Sequence, residues 1–160
     1  MMKVFVRLAL WLLAFAPCFA RGGGNEVVVV YNENVPSSKD VADYYAKMRD
    51  VPARQVFGFR LPDTEIMSRD EFRSDLQLPL AEKLQSAGLW KFGETTIQSA
   101  KGVPTHFIQG VIASKIRYAV LCYGVPLRID EDPNIREPDD KTIPEVFRGN
   151  RASVDSELAW

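Results

Sequence analysis

The chain has 160 residues and a formal net charge of −1, because lysine and arginine are almost balanced by aspartate and glutamate. This length suits one domain, and hydrophobic residues make up 46% of it, which is enough for an apolar core. The balanced charge excludes the strongly basic surface with which proteins bind nucleic acid, so we expect no nucleic-acid partner.

The N-terminal residues 1–20 have the parts of a secretory signal peptide. Lys3 and Arg7 supply positive charge, residues 8–16 form an unbroken apolar run, and residues 17–20 end it with small residues at the cleavage positions. The alternative is a membrane anchor, but the apolar run is shorter than the ~20 residues that span a bilayer. We therefore expect export to the periplasm or the extracellular space, with no stable membrane anchor after cleavage. Cys122 would then be the single cysteine, so no internal disulfide is expected.

The first structural element after this leader is a strand. The consecutive valines Val27–Val30 predict a short buried strand over Glu26–Tyr31. A polar turn follows, and Ser37 or Ser38 could cap the N-terminus of a helix. Apolar residues at helical spacing predict that this helix runs over Lys39–Arg49.

Pro52 ends that first helix, since the residue before a proline avoids the helical conformation. A second strand is predicted over Gln55–Arg60, which is rich in valine and phenylalanine. Ser68 and Glu71 then have the spacing of a capping box and predict the start of a second helix. Pro79 would either kink that helix or open another one.

Residues 88–115 have the least regular pattern, although their aromatic residues indicate that they pack against the domain. A third strand is predicted over Tyr118–Cys122, and its continuous apolar run is typical of a strand buried on both faces. Gly124 marks the turn that ends it. Residues 130–150 are polar and predict a long loop, and residues 152–160 predict a last helix.

The order β-α-β-α-β predicts a three-layer α/β fold with a mostly parallel sheet between helices. This single domain would span residues 26–160, after a flexible lead-in over residues 21–25. Three strands make a thin sheet and the last predicted helix is cut short, so we expect the domain to be incomplete at its C-terminus.

Two short sequence motifs make the chain similar to a known family. They are Gly-Val-Pro-Leu-Arg-Ile at residues 124–129 and Ser-Val-Asp-Ser-Glu-Leu at residues 153–158. From Val27 onward, except over residues 88–115, the chain resembles the N-terminal part of an uncharacterised exported bacterial family of conserved hypothetical proteins. The resemblance implies family members that continue well past residue 160. It implies no activity, cofactor or catalytic residue, and the family does not fix Cys and Tyr at positions 122 and 123.

Ligand-binding candidates lie where the first and third predicted strands end. The carboxyl ends of adjacent parallel strands open a crevice in which such folds bind ligands. If these two strands are neighbours, Asn32 lies beside Tyr123 and Gly124, with Ser37 at the nearby helix start. We predict that Asn32, Tyr123, Gly124 and Asp155 line one concavity. The alternative is that these residues only form turns and a helix cap.

Two pairs of residues are weak catalytic candidates. Cys122 and His106 could be the nucleophile and base of a cysteine hydrolase. The alternative is a buried structural thiol, which describes most free cysteines. Asp155 and Glu157 could be an acid–base pair, but residues two apart on a helix point in different directions. Helix capping and surface charge are their alternative roles.

The acidic stretch after the third strand is not an EF-hand. Asp130–Asn134 have oxygen ligands at calcium-loop spacing, but Ile135 replaces the required glycine and Lys141 replaces the bidentate glutamate. We assign no metal site, although an irregular cation site with Asp139 or Asp140 stays open. No phosphate-binding or dinucleotide fingerprint occurs, so no cofactor is expected.

Two classes of function fit the sequence. One is a hydrolase or ligand-binding domain whose pocket lies at the carboxyl ends of the first and third strands. The other is a non-catalytic envelope or surface binding module. The sequence leaves open whether the protein is an enzyme.

Overall fold

The computed structural model describes residues 23–98, 104–135, 144 and 149–159, so the predicted leader and Asp139, Asp140 and Lys141 lie outside the described residues. The strands of this part are β1 (Val27–Asn32), β2 (Val56–Phe59), β3 (Ile66–Met67), β4 (Trp90–Gln98), β5 (Pro104–Ser114), β6 (Tyr118–Leu121), β7 (Arg128–Ile129) and β8 (Ala152–Ser153). The helices are α1 (Pro36–Arg49), α2 (Arg69–Glu71), α3 (Leu78–Ser86) and α4 (Val154–Glu157), and a π-helical segment, Phe72–Gln77, joins α2 to α3.

The central sheet has the strand order β2-β1-β6, and both strand pairs are parallel. Val30 lies opposite Phe57 on one side and opposite Leu121 on the other. The prediction of an α/β fold with a parallel sheet is therefore confirmed, and the condition on which the predicted ligand site depended, that the first and third strands are neighbours, is met.

The two faces of β1 enter different apolar clusters, because side chains alternate along a strand. Val28 and Val30 pack in the larger cluster with Leu80 and Leu84 of α3. Val27 and Val29 pack in a smaller cluster that includes Ala42 of α1. The four valines are at most 7% exposed, which confirms β1 as the centre of the core.

The predicted burial of the third strand on both faces is wrong. Tyr118 in β6 is 55% exposed and Ala119 is also exposed. The reason is that β6 pairs only with β1 and forms an edge of the sheet within the described residues. An apolar run alone does not distinguish an edge strand from a central one.

The predicted serine cap of α1 is also wrong. Val35 is the N-cap residue, it makes no side-chain cap hydrogen bond, and Pro36 takes the first helical turn. Proline suits that place because it has no backbone N–H to leave unpaired. Ser38 lies inside the helix, fully buried. The end of α1 is as predicted, since Asp50 leaves the helix in a left-handed conformation with φ of 54°.

The second helical stretch begins with the predicted capping box: the Ser68 hydroxyl accepts from the Glu71 N–H and the Glu71 carboxylate accepts from the Ser68 N–H. The helix widens into the π-helical segment before Pro79, and Leu78 N–H donates to Arg73 C=O. Pro79 has no N–H and its ring crowds the preceding turn, so a wider turn lets the helix continue. Helix α3 thus starts at Leu78 with Pro79 in its first turn, as one of the two predicted alternatives has it, and the Leu78 hydrogen bond joins it to the preceding π-helical segment.

Residues 88–115 contain an antiparallel hairpin of β4 and β5, which the sequence analysis did not assign. A second small sheet has the order β3-β7-β8. Because Ala152 and Ser153 pair with β7, the last helix starts at Val154 rather than at residue 152. Within residues 23–98, 104–135, 144 and 149–159, no helix is long and apolar enough to span a bilayer.

Candidate functional site

The carboxyl ends of β1 and β6 lie side by side, as predicted. Asn32 ends β1, and its Nδ2 donates to the Gly124 carbonyl oxygen at 2.8 Å. Strand β1 lies between β2 and β6, so this is the point at which the chain connections diverge to the two sides of the sheet. Folds of this kind bind ligands at such a point.

The Asn32 side chain is used completely by the fold. Its Nδ2 also donates to the Pro62 carbonyl at 2.8 Å. Its Oδ1 accepts from the backbone N–H groups of Asn34 at 3.0 Å and of Leu61 at 3.2 Å. An amide has two N–H groups and two lone pairs, so all are satisfied in this fully buried side chain. The hydrogen bonds of Asn32 thus link three loops, and its side chain has no unused donor or acceptor for a ligand.

Val35 packs closely against Gly124 beside Asn32. Gly124 has a φ of +88°, and a Cβ there would lie 2.9 Å from the Cβ of Val35. The glycine is therefore required both by its backbone conformation and by the close approach of Val35. It permits the contact between two loops, and Val35 occupies the space next to the Gly124 Cα on that side.

The other predicted ligand-binding residues lie on the surface of this end of the sheet. Tyr123 is 71% exposed in the turn after β6, and Ser37 is exposed in the first turn of α1. Ser38, the residue after Ser37, instead has a role in the fold, since its Oγ accepts a hydrogen bond from the Asn32 N–H at 2.9 Å. Ligand binding by Asn32, Ser37, Tyr123 and Gly124 stays a prediction to which these contacts lend no support.

Cys122 is buried just past the end of β6, and its N–H donates to the Val30 carbonyl. Burial raises the pKa of the Cys122 thiol, so the unreactive thiol form dominates at neutral pH. His106 is the third residue of β5, where it lies opposite Ile97 of β4. This geometry favours the structural role for Cys122 over the predicted nucleophile.

Asp155 is exposed in α4. A hydrogen bond with the Ser153 side chain, and a second with the Ser156 backbone, lower the pKa of Asp155, so it is a carboxylate at neutral pH. Glu157 instead faces Arg69, with Nη1 and Oε1 3.5 Å apart. The two acids do not share a site.

In the described part of the acidic loop, the carboxylates lie near an arginine or accept a hydrogen bond from an asparagine. Arg151 lies 3.6 Å from Asp130 and 3.9 Å from Glu131, while Asp132 Oδ1 accepts from the Asn134 N–H at 2.8 Å. Among the described residues, no three His, Cys, Asp or Glu side chains are grouped as metal ligands.

An apolar groove opens along β6 on the side of the larger core cluster, with a volume of about 370 Å³. It is lined by leucines of α3 and Val28 of β1, by residues of the β4–β5 hairpin, by residues of β6, and by residues in α4 and just after it. The lining residues are Val28, Leu80, Leu84, Trp90, Val111, Ser114, Ile116, Arg117, Tyr118, Ala119, Leu121, Asp155, Leu158 and Ala159. We call this concavity the β6 groove.

The β6 groove was not predicted from the sequence. Its lining comes from elements far apart in the chain, and the hairpin that supplies Trp90 and Val111 was not assigned. Asp155 was a predicted site residue, and it lines this groove, whose lining does not include Asn32, Tyr123 or Gly124. The signal that could have found the groove was the uncharged sequence of β6 together with the leucine and tryptophan near it.

A wider depression of about 600 Å³ lies between α1 and β2. Charges of both signs line it, and they include Lys39 and Asp43, which form an ion pair at 2.6 Å. The Lys39 ammonium also lies 6.0 Å from the centre of the Tyr31 ring. Because these charges are already paired on the surface, we consider the smaller and more apolar β6 groove the better candidate site.

Comparison of the chain with models of protein families, with curated proteins and with solved structures gave no match. The resemblance to the exported bacterial family therefore stays a prediction, and function has to be inferred from the geometry described above.

Proposed function

We propose that this part of the chain is a non-catalytic binding module of an exported protein, and that the β6 groove is its docking surface. One observation carries the proposal: an apolar groove borders an exposed strand edge that contains no charged residue. Apolar surface beside a strand edge suits an extended segment, which pairs with the strand and places side chains in the groove.

The alternative of a hydrolase or small-ligand domain at the carboxyl ends of β1 and β6 has less support. It requires polar groups that are free to act on a substrate. The Asn32 amide is already fully hydrogen-bonded, and burial keeps Cys122 protonated. The exposed Tyr123 hydroxyl alone does not make a catalytic site.

We also propose that the central sheet is the middle layer of a three-layer α/β domain. Apolar clusters that contain α1 on one face of β1 and α3 on the other support this arrangement. The apolar run and cleavage pattern of residues 1–20 support export.

The dye 1-anilinonaphthalene-8-sulfonate, which binds to apolar surfaces, tests this function. Trp90 lines the groove, so a dye molecule bound there would receive excitation energy from it. The full chain would carry Trp11→Phe and Trp160→Phe, so that Trp90 alone reports. We expect Leu158→Lys, in the groove lining, to weaken dye binding at least tenfold. Met48→Lys, at an exposed apolar residue of α1, is the matched control and should change little. Equal binding by both variants would overturn the proposal.

A thiol reagent separates this proposal from the hydrolase alternative. With Cys18→Ser in place, we expect Cys122 to react with iodoacetamide only after denaturation in urea, because it is buried and protonated. Rapid alkylation of the native chain at neutral pH would instead favour the cysteine hydrolase.

A further inference from the structure

The outer edge of β6 carries backbone groups that face away from β1. Cys122 N–H donates to the Val30 carbonyl, and backbone groups along a strand point alternately to its two sides. Val120 and Cys122 therefore face β1, whereas the N–H and C=O groups of Ala119 and Leu121 face outward. In the described part of the chain, no strand pairs with that edge.

Strand β6 lacks the devices that normally protect an edge. Proteins discourage pairing at exposed edges with lysine, proline or a bulge. The sequence of β6 is Tyr-Ala-Val-Leu, without charge or proline, and its register with β1 is uninterrupted. An edge of this kind readily accepts another strand.

We propose that the strand that pairs with β6 is β6 of a second copy of this chain, in antiparallel orientation about a two-fold axis through Val120. This inference rests on the proposed docking function of the β6 groove and names its occupant. The two central sheets would join into one continuous sheet across the axis.

The two-fold arrangement makes β6 its own complement. Ala119 lies opposite Leu121 of the second copy, and the two residues exchange both of their outward hydrogen bonds. These side chains are on the groove side of the sheet, since Ala119 pairs with Val28 and Leu121 with Val30 of β1. A small side chain therefore meets a large one, and the second copy's leucine covers the open edge of the groove.

Charge favours the same pairing. Arg117, whose guanidinium lies 3.5 Å from Glu26, comes just before β6, and Tyr123 lies in the turn after it, so the two-fold axis brings these exposed residues to the same end of the paired strands. A guanidinium beside an aromatic ring is attractive, and the register brings no like charges together. Because β6 is short, the contact belongs with interfaces below about 1,200 Å², which associate weakly. We therefore expect the dissociation constant of the dimer to lie in the micromolar range or above.

Disulfide trapping tests the register of the full chain carrying Cys18→Ser. In the two-fold arrangement Val120 lies opposite its own copy as a non-hydrogen-bonded pair, with Cα atoms about 4.5 Å apart. That separation permits a disulfide, so Val120→Cys should form a covalent dimer under mild oxidation. Ala119→Cys is the matched control, because its own copy lies out of register at roughly 8 Å, which is too far for a disulfide. Equal trapping by both variants, or by neither, would overturn the proposal.

Sedimentation equilibrium tests the association without a covalent bond. Ala119 is exposed in the single chain, so Ala119→Glu should fold normally yet raise the dimer dissociation constant at least tenfold by burying a charge at the axis. Met48→Glu adds the same charge at an exposed apolar residue of α1 and should leave it unchanged. A native chain that stays monomeric at several hundred micromolar would overturn the second copy as occupant. The binding-module function itself would survive that result if Trp90 still transfers energy to the dye, and would fail only if dye binding is also insensitive to Leu158→Lys.

Discussion

Two regions border the same pair of strands and differ in how their polar groups are satisfied. At the carboxyl ends of β1 and β6, the buried Asn32 side chain binds carbonyl and N–H groups of three loops. Along the outer edge of β6, the backbone N–H and C=O groups of Ala119 and Leu121 face outward beside the β6 groove. The expected position of a ligand site is therefore filled by the protein itself, and the sheet edge is the more open surface.

Removal of the Asn32 amide should have the largest effect on this contrast. Asn32→Ala would leave buried carbonyl and N–H groups of several loops without partners, so we expect unfolding free energy to fall by about 3–5 kcal/mol. Urea denaturation measures the loss. Asn34→Ala is the control from the same turn, since the Asn34 side chain is exposed and donates to the Leu61 carbonyl. A similar, small loss in both variants would show that Asn32 does not fasten the loops.

Gly124→Ala should have the next largest effect, at about 2–3 kcal/mol, because it adds both backbone strain and a contact with Val35. Gly88 provides the comparison: its φ is +65°, but nothing lies within 4 Å of an added Cβ. Gly88→Ala should therefore lose only about 1 kcal/mol. Thermal or urea unfolding of both variants measures the difference in stability. Adding Val35→Ala should restore part of the stability lost in Gly124→Ala, but none of that lost in Gly88→Ala. Equal losses would remove the steric argument.

Ser38→Ala should be destabilising by about 1–2 kcal/mol, because the buried Asn32 N–H would lose its acceptor. Ser37→Ala, one residue earlier and exposed, should stay within about 0.5 kcal/mol. The pair decides between a role in the fold and the predicted role in ligand binding or capping. A larger effect at Ser37 in urea denaturation would reverse our assignment.

The smallest effect concerns Asp155 at the rim of the β6 groove. Its pKa is lowered in the folded chain by the Ser153 and Ser156 hydrogen bonds. A carboxylate of this kind adds stability above its unfolded pKa and loses it as pH falls through the lower folded pKa. NMR titration of the Asp155 carboxyl should thus give a midpoint below the ordinary value of 3.8, and Ser153→Ala should move it upward. A midpoint at or above that value in the native chain would contradict the hydrogen bonds.

Local patterns predicted the elements whose signals lie within a few residues. Val27–Val30 indicated β1, the Ser68–Glu71 spacing indicated a capping box, and the approach to Pro52 marked the end of α1. The adjacency of β1 and the third predicted strand followed from the order of elements. Apart from the serine cap of α1, the predictions that failed concern properties that depend on distant neighbours.

The exposure of β6 is one such property, since it depends on whether another strand lies outside it. The role of Asn32 is another. Its sequence neighbours indicated a polar turn, but the partners that satisfy its amide come from Pro62 and Gly124. Only the folded chain brings those carbonyls to it. The same physical reason hid the β6 groove.

The π-helical segment before Pro79 has a consequence for the winding of the whole second helical stretch. Its buried residues, Phe72, Leu76, Leu80 and Leu84, recur every fourth position. In a plain α-helix each such step turns about 40° past a full circle, so the stripe would drift around the cylinder. The wider turn at residues 72–77 winds more slowly and cancels part of that drift. The π-helical turn before Pro79 thereby keeps these four residues closer to a single apolar stripe, and all four pack in the larger core cluster.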